Sequence, residues 1–257
     1  MKVLPTKDGC YRTKPGAMIS RDAATLMFYP TMAAVVSHGS FLARYARFYG
    51  HPGVCMSSRG IFLGLEAVGV RFDISGLDNV MNLQGPCVII ANHMSVLETL
   101  SMPAIIGGYK DITFVIKNEL ATYPVFRHLL MSMNPIVISR TNPREDLTTV
   151  LTKGCELLAA GRSLVIFPQS SRSVQFDPKV FNTIGIKLAL RANVPVIPLA
   201  LKTDAWGNGR HIKDFGVIDP DKTVYLAFEK PMYIKNRGIE QHQWIIDFIT
   251  EKLRQWQ

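Results

Sequence analysis

Seven short apolar or alternating runs, at 70–75, 87–92, 112–116, 136–139, 163–168, 194–201 and 223–228, recur along the chain between longer stretches of helical period. Each is strand-length, and most are rich in Val and Ile, the residues that fit a pleated, half- or fully buried surface. The intervening stretches at 60–70, 95–106, 124–133, 144–161 and 185–193, and a closing one at 239–256, space their apolar residues at three and four. Strand and helix alternating at these lengths point to an α/β fold, with a largely parallel central sheet flanked by helices. Within two of the runs, residues 87–91 and 164–168 are continuously apolar, as expected of strands covered on both faces.

The first 55 residues have a different character. Residues 23–43, "AATLMFYPTMAAVVSHGSFLA", are uncharged over 21 positions. A membrane-spanning helix needs about 20 apolar residues. Pro30, His38, Gly39 and the serines make this stretch a poor span, so an in-plane or half-inserted helical pair is expected. Arg21, Arg44 and Arg47 flank it, where lipid headgroups would lie. The same stretch also reads as a buried core helix. Residues 1–60 hold eight Lys and Arg against two Asp, which is +6 of the chain's net +9. Such a basic end suits an anionic surface. Nucleic acid is not expected, because the rest of the chain lacks interleaved basic and aromatic residues. The expected division is 1–55, a basic membrane-associating segment, and 56–257, the main domain. Four scattered cysteines without ligand spacing read as free thiols of a reducing compartment.

The strand at 87–92 ends in "NHMSVLE". Glu98 comes five positions after His93, about 500° on a helix, so the two side chains meet only if His93 precedes a helix that holds Glu98 in its first turn. Ser95 is a good N-cap, and Ser95-x-x-Glu98 forms a capping box. Catalytic pair and simple cap are both open from these residues alone. A zinc site lacks a third ligand. No G-x-S-x-G elbow, P-loop or dinucleotide fingerprint occurs. Two further strand ends carry arginine: Arg140 in "NPIVISR" and Arg172 in "LVIFPQSSRS". Ligands of open α/β sheets bind at the carboxyl ends of strands, and Arg suits phosphate. A base beside two arginines suggests chemistry on a phosphorylated acceptor.

These blocks resemble those of the glycerolipid acyltransferases typified by 1-acyl-sn-glycerol-3-phosphate acyltransferase. "NHMSVLE" is similar to the family's Asn-His-x4-Asp, "NPIVISR" to its second block, "FPQSSRS" to Phe-Pro-Glu-Gly-Thr-Arg-Ser, and "VPVIPLAL" to its Val-Pro-hydrophobic-Pro strand. All four stand in order over roughly residues 70–202. "IKNELATYPVF", with Lys117, resembles the stretch between the first two blocks. Glu98 replaces Asp, and Gln169 and Ser170 replace Glu and Gly.

The resemblance implies the glycerol-3-phosphate acyltransferase-like fold and roles for individual residues. His93 would be the general base and Glu98 its partner. Arg140 and Arg172 would hold the acceptor phosphate. Lys117, Phe167, Pro168, Gln169, Ser170, Ser171 and Ser173 would complete the substrate site. The donor would be acyl-CoA or acyl-acyl carrier protein as co-substrate, with no metal and no resident cofactor. The acceptor would be a lysophospholipid, most simply 1-acyl-sn-glycerol 3-phosphate giving phosphatidic acid. The other expectations in view are a different lysolipid headgroup and a non-catalytic membrane lipid-binding protein. Membrane phospholipids are the expected partners, with the protein monotopic or peripheral on the cytoplasmic face.

Overall fold

The computed structural model describes residues 4–257 apart from 15, 17, 18, 47, 48, 124, 125, 170 and 211. Arg47, Ser170 and the start of the expected 124–133 helix lie outside the described residues. The chain begins with β1 (Tyr11–Arg12), α1 (Arg21–Tyr45), α2 (Gly50–Ala67), β2 (Arg71–Ser75) and α3 (Leu77–Met81). Strand and helix then alternate through β3 (Val88–Ala91), α4 (Leu97–Ile106), β4 (Ile112–Lys117), α5 (Asn118–Thr122), α6 (Phe126–Met131), β5 (Ile136–Ile138) and α7 (Pro143–Ala159). The rest is β6 (Ser163–Ile166), α8 (Ile184–Ala192), β7 (Val196–Lys202), β8 (Thr223–Phe228) and α9 (Ile239–Gln255).

One eight-stranded sheet runs in the order β1-β2-β8-β7-β3-β6-β4-β5. The five strands from β7 to β5 are mutually parallel. β8 pairs antiparallel with β7, β2 lies parallel to β8, and β1 is antiparallel to β2. β3 and β6 are buried at every position, because both sheet faces are covered. Ile89, Ala91 and Val165 join the core beneath α1, α2 and α4. Val88, Ile90, Leu164 and Ile166 join the core beneath α7, α8 and α9. This is the period-2 alternation of strand side chains serving two separate layers.

The uncharged stretch at 23–43 forms one helix, α1, unbroken by Pro30. Packing carries it through the proline: Phe28, Met32 and Val36 are buried on both sides of it. Its helical partner is α2, which spans the expected boundary at residue 55. The two helices approach closely because glycine stands at the crossings, Gly39 against Ser57, Gly60 against Val35 and Gly64 against Thr31. Opposite the packed face, α1 exposes Leu26 (76%) and Phe41 (60%). Trp206 and residues 215–219 of the long β7–β8 loop lie against α1. Tyr29 Oη donates to the Gly216 carbonyl, Ile218 N donates to Thr25 Oγ1 (3.0 Å), Arg21 pairs with Asp219 (2.7 Å), and Trp206 packs edge-on to Phe28.

At the amino-terminal ends of the strands, an ionic cluster fastens α2 to the sheet. His51 Nδ1 lies 3.0 Å from Asp111 Oδ1, and Asp111 takes Arg162 Nε (3.0 Å) and Nη2 (2.9 Å). His51 Nε2 contacts the Gly107 carbonyl at 2.8 Å, at the C-terminal end of α4. The Asp111 carboxylate and Cys55 push the His51 imidazole up from 6.5 to about 10, against the opposing effect of burial. A raised folded-state value means stability fully present below pH 6.5, declining above it, and lost as pH rises through about 10. His51→Gln should therefore lower the melting temperature most at pH 6, with the gap closing towards pH 10.5. A gap independent of pH would show that the imidazolium charge contributes nothing.

Candidate active site

The parallel strands deliver their carboxyl ends to one edge of the sheet, and with them Asn92 and His93 after β3, Arg140 after β5, Phe167 after β6 and Thr203 after β7; Lys117 closes β4. Asn92 fixes where β3 stops. Its side chain spans to β7, donating from Nδ2 to the Leu201 carbonyl and accepting from Leu201 N, both at 2.8 Å. His93 is thereby set just beyond the ladder, before α4.

Glu98 lies in the first turn of α4 and is fully buried. Its Oε1 accepts from His93 Nδ1 (2.8 Å), Met94 N (2.7 Å) and Ser95 N (3.0 Å). Its Oε2 accepts from Thr203 Oγ1 (2.6 Å) and contacts Ser95 Oγ (3.1 Å). Burial opposes the charge, but the His93 and Thr203 contacts outweigh it and hold the carboxyl below its ordinary range. A carboxylate there requires the proton of His93 on Nδ1, which leaves Nε2 as the free basic nitrogen. Nε2 has no hydrogen-bond partner among the described residues. The imidazole stacks on Phe167, 4.2 Å between centroids. Capping contacts are present too: Glu98 reaches back to Ser95 N, while the Ser95 hydroxyl accepts from Leu97 N (3.2 Å).

Phe167, Gln169 and Ser173 surround the histidine. Gln169, 4% exposed, accepts from His93 N through Oε1 at 2.7 Å. Ser173 N donates to the His93 carbonyl (3.0 Å). Pro168 is buried, and its carbonyl accepts from Asn182. Arg172 pairs through Nη2 with Asp214 Oδ1 (2.6 Å). Its Nη1 is buried without a hydrogen-bond partner among the described residues. A cavity of about 160 Å³ gathers His93, Lys117, Arg140, Phe167, Ser171 and Arg172. Of the residues expected from sequence, Glu98, Pro168, Gln169 and Ser173 stand behind or beside it. A second cavity, about 510 Å³, also reaches His93, Arg140 and Phe167, and has Gln169 in its wall.

Thr203, Lys213 and Asp214 were not singled out from sequence. Thr203 directly follows a strand, so the strand-end rule applied to 194–201 would have found it. Lys213 and Asp214 lie deep in the β7–β8 loop, where no local pattern marks them. Among the described residues no group of three His, Cys, Asp or Glu is placed to hold a metal ion.

The family model described as Acyltransferase matches residues 71–202. A 1-acyl-sn-glycerol-3-phosphate acyltransferase of Pseudomonas aeruginosa is 33% identical over 194 residues, 74% of this chain and 74% of that protein. The chloroplastic 1-acyl-sn-glycerol-3-phosphate acyltransferase BAT2 of Brassica napus is 30% identical over 131 residues, 51% of this chain and 37% of the longer plant protein. The crystal structure of the 1-acyl-sn-glycerophosphate acyltransferase PlsC from Thermotoga maritima shares the fold, with a TM-score of 0.67 at 18% identity, over 92% of this chain and 97% of that one. With the His93–Glu98 pair at the strand ends, and the matched segment carrying all four sequence blocks, the chain belongs to the acyltransferase family that includes the 1-acyl-sn-glycerol-3-phosphate acyltransferases, and it is an O-acyltransferase.

Proposed function

We propose that the enzyme moves an acyl chain from acyl-CoA or acyl-acyl carrier protein to the free hydroxyl of a lysophospholipid, most simply 1-acyl-sn-glycerol 3-phosphate, giving phosphatidic acid. The observation that carries this is the His93 ring, anchored through Nδ1 to a buried carboxylate, with Nε2 left unpaired. Nε2 takes the acceptor hydroxyl proton as that oxygen attacks the thioester carbonyl. The Glu98 charge stabilises the imidazolium so formed. Collapse of the tetrahedral intermediate breaks the C–S bond, and the imidazolium returns its proton to the departing sulfur. Neither a covalent acyl-enzyme nor a resident cofactor is needed.

The acceptor phosphate fits the basic wall of the smaller cavity. Arg172 Nη1 is a buried donor lacking an acceptor among the described residues, a group that gains most from an anionic oxygen. Lys117, Arg140 and Lys213 line the same space. Asp214 lies there too, which favours a second reading, a headgroup that pairs its phosphate with a cation. A panel of lysolipids with each thioester donor, read by product mass spectrometry, tests the reaction and ranks the headgroups.

In that assay His93→Ala should lose about 10²–10⁴ in turnover while remaining folded. Retention of more than half the activity would end the mechanism. Glu98→Gln keeps a carbonyl for the backbone donors and lets the two hydroxyls rotate to accept. Its melting temperature should stay near wild type while turnover falls at least about tenfold. Equal turnover with lower melting would leave Glu98 a cap only.

Arg172→Ala should raise the acceptor KM by roughly tenfold or more, from a charge-assisted contact of about 1.5–3 kcal/mol, with the donor KM little altered. A raised donor KM instead would reverse the assignment.

The apolar outer face of α1 supports membrane association, which the proposal places on the cytoplasmic side. α1 is long and apolar enough to cross a membrane by length and composition, and only 28% of its most apolar 18 residues are buried. An apolar groove runs along it, lined by Leu26, Pro30 and Ala33. Docking there lets a lysolipid reach His93 without exposing its chain to water at about 0.8 kcal/mol per CH₂. Leu26→Glu with Phe41→Glu should weaken flotation with anionic vesicles and slow turnover of bilayer acceptor, while short-chain soluble acceptor reacts normally. Unchanged flotation would put the anchor elsewhere.

A further inference from the structure

Direct transfer requires acceptor and donor at His93 Nε2 at the same time, and the two cavities that meet there open on opposite faces of the sheet. The smaller shares Met32, Tyr123, Phe126 and Phe215 with the apolar groove along α1. That route suits aliphatic chains. The larger, about 510 Å³, lies by α7 and α8 and includes no residue of α1.

We propose that this larger cavity is the site of the phosphopantetheine arm of the acyl thioester donor, an assignment that rests on the acyl-transfer reading. The arm is an extended chain with a thiol at one end, two amides and a geminal dimethyl group along it, and a phosphate at the other end. The cavity offers a counterpart for each part. Gln169 stands at the inner end beside His93. Its Oε1 is held by a backbone N–H, which can only donate, so the amide orientation is fixed and Nε2 is the remaining donor. Nε2 has no hydrogen-bond partner among the described residues, in a side chain that is almost fully buried. Leu147 and Ile184 supply apolar wall. Thr183 caps no backbone N–H with its hydroxyl, so that oxygen is available to an amide. Lys187 lies in the lining, is exposed, and has no ion-pair partner among the described residues, as a residue receiving a phosphate would be. The carrier is thereby kept on the face away from α1, where a water-soluble molecule arrives without crossing the lipid-facing side.

Coenzyme A and acyl carrier protein present the same arm, so both donors serve as arms of the test. Lys187→Glu should raise the donor KM at least about tenfold with acyl-CoA and with acyl-acyl carrier protein, leaving the acceptor KM and the melting temperature unchanged. Thr183→Trp, which narrows the cavity without altering charge, should act in the same direction. Unacylated coenzyme A, titrated calorimetrically into wild type and variants, should lose affinity in parallel. An effect with one donor alone identifies the carrier that uses the cavity. Wild-type donor KM in both folded variants overturns the assignment, as does a rise confined to the acceptor KM. Wild-type protein that binds coenzyme A through Lys187 yet acylates no lysolipid keeps the cavity and sinks the reaction. Protein that acylates lysolipids with the donor KM indifferent to both variants does the reverse.

Discussion

The buried charge of Glu98 is the interaction on which the rest of the site depends. An isolated carboxylate away from water is strongly disfavoured, and it persists only when donors saturate it. Here the donors come from three places: the His93 ring, the backbone and hydroxyl of the 94–95 turn, and Thr203 at the end of β7. Satisfying the carboxylate therefore locks α4 to the sheet and sets the imidazole tautomer in one arrangement. The extra methylene of Glu relative to Asp is absorbed by reaching back from the first helical turn to the residues just before the helix.

A second constraint comes from the strands. Because β3 and β6 are central and covered on both faces, their ends are fixed by packing on two sides. Side chains leaving them inherit that rigidity. His93 lies at the boundary between the two layers, with α1 and α4 on one side and α7 and α8 on the other. A histidine placed at mid-strand would face only one layer.

Much of this was legible in the sequence. The central strands announce themselves as continuous apolar runs, and the helix at 144–161 as a periodic segment stopped by Gly161, which adopts φ 85°. The histidine, its acid and the arginines stand out because they interrupt or follow such runs. Less legible were β1, whose two residues carry no period, and α3, a single short turn. The continuity of α1 through Pro30 is decided by tertiary burial rather than propensity. β8 runs against β7 because of the path taken by the loop between them, which no local signal encodes. The same loop holds Asp214, so the partner of Arg172 was invisible for the same reason.

That loop has a consequence for how this enzyme can be divided. Residues 203–222 are tied to α1 by Tyr29, Thr25 and Arg21, and they position Asp214 against Arg172. Met32 of α1 is itself part of the wall that faces His93. The amino-terminal helix is thus part of the wall of the chamber at His93 and not a detachable tether. Trimming it to make the protein easier to handle would open the chamber, strip Phe28 from Trp206 and release the arginine's counter-ion together. A minimal catalytic unit of this chain has to begin upstream of Arg21, and a chimera that exchanges α1 has to exchange the loop with it.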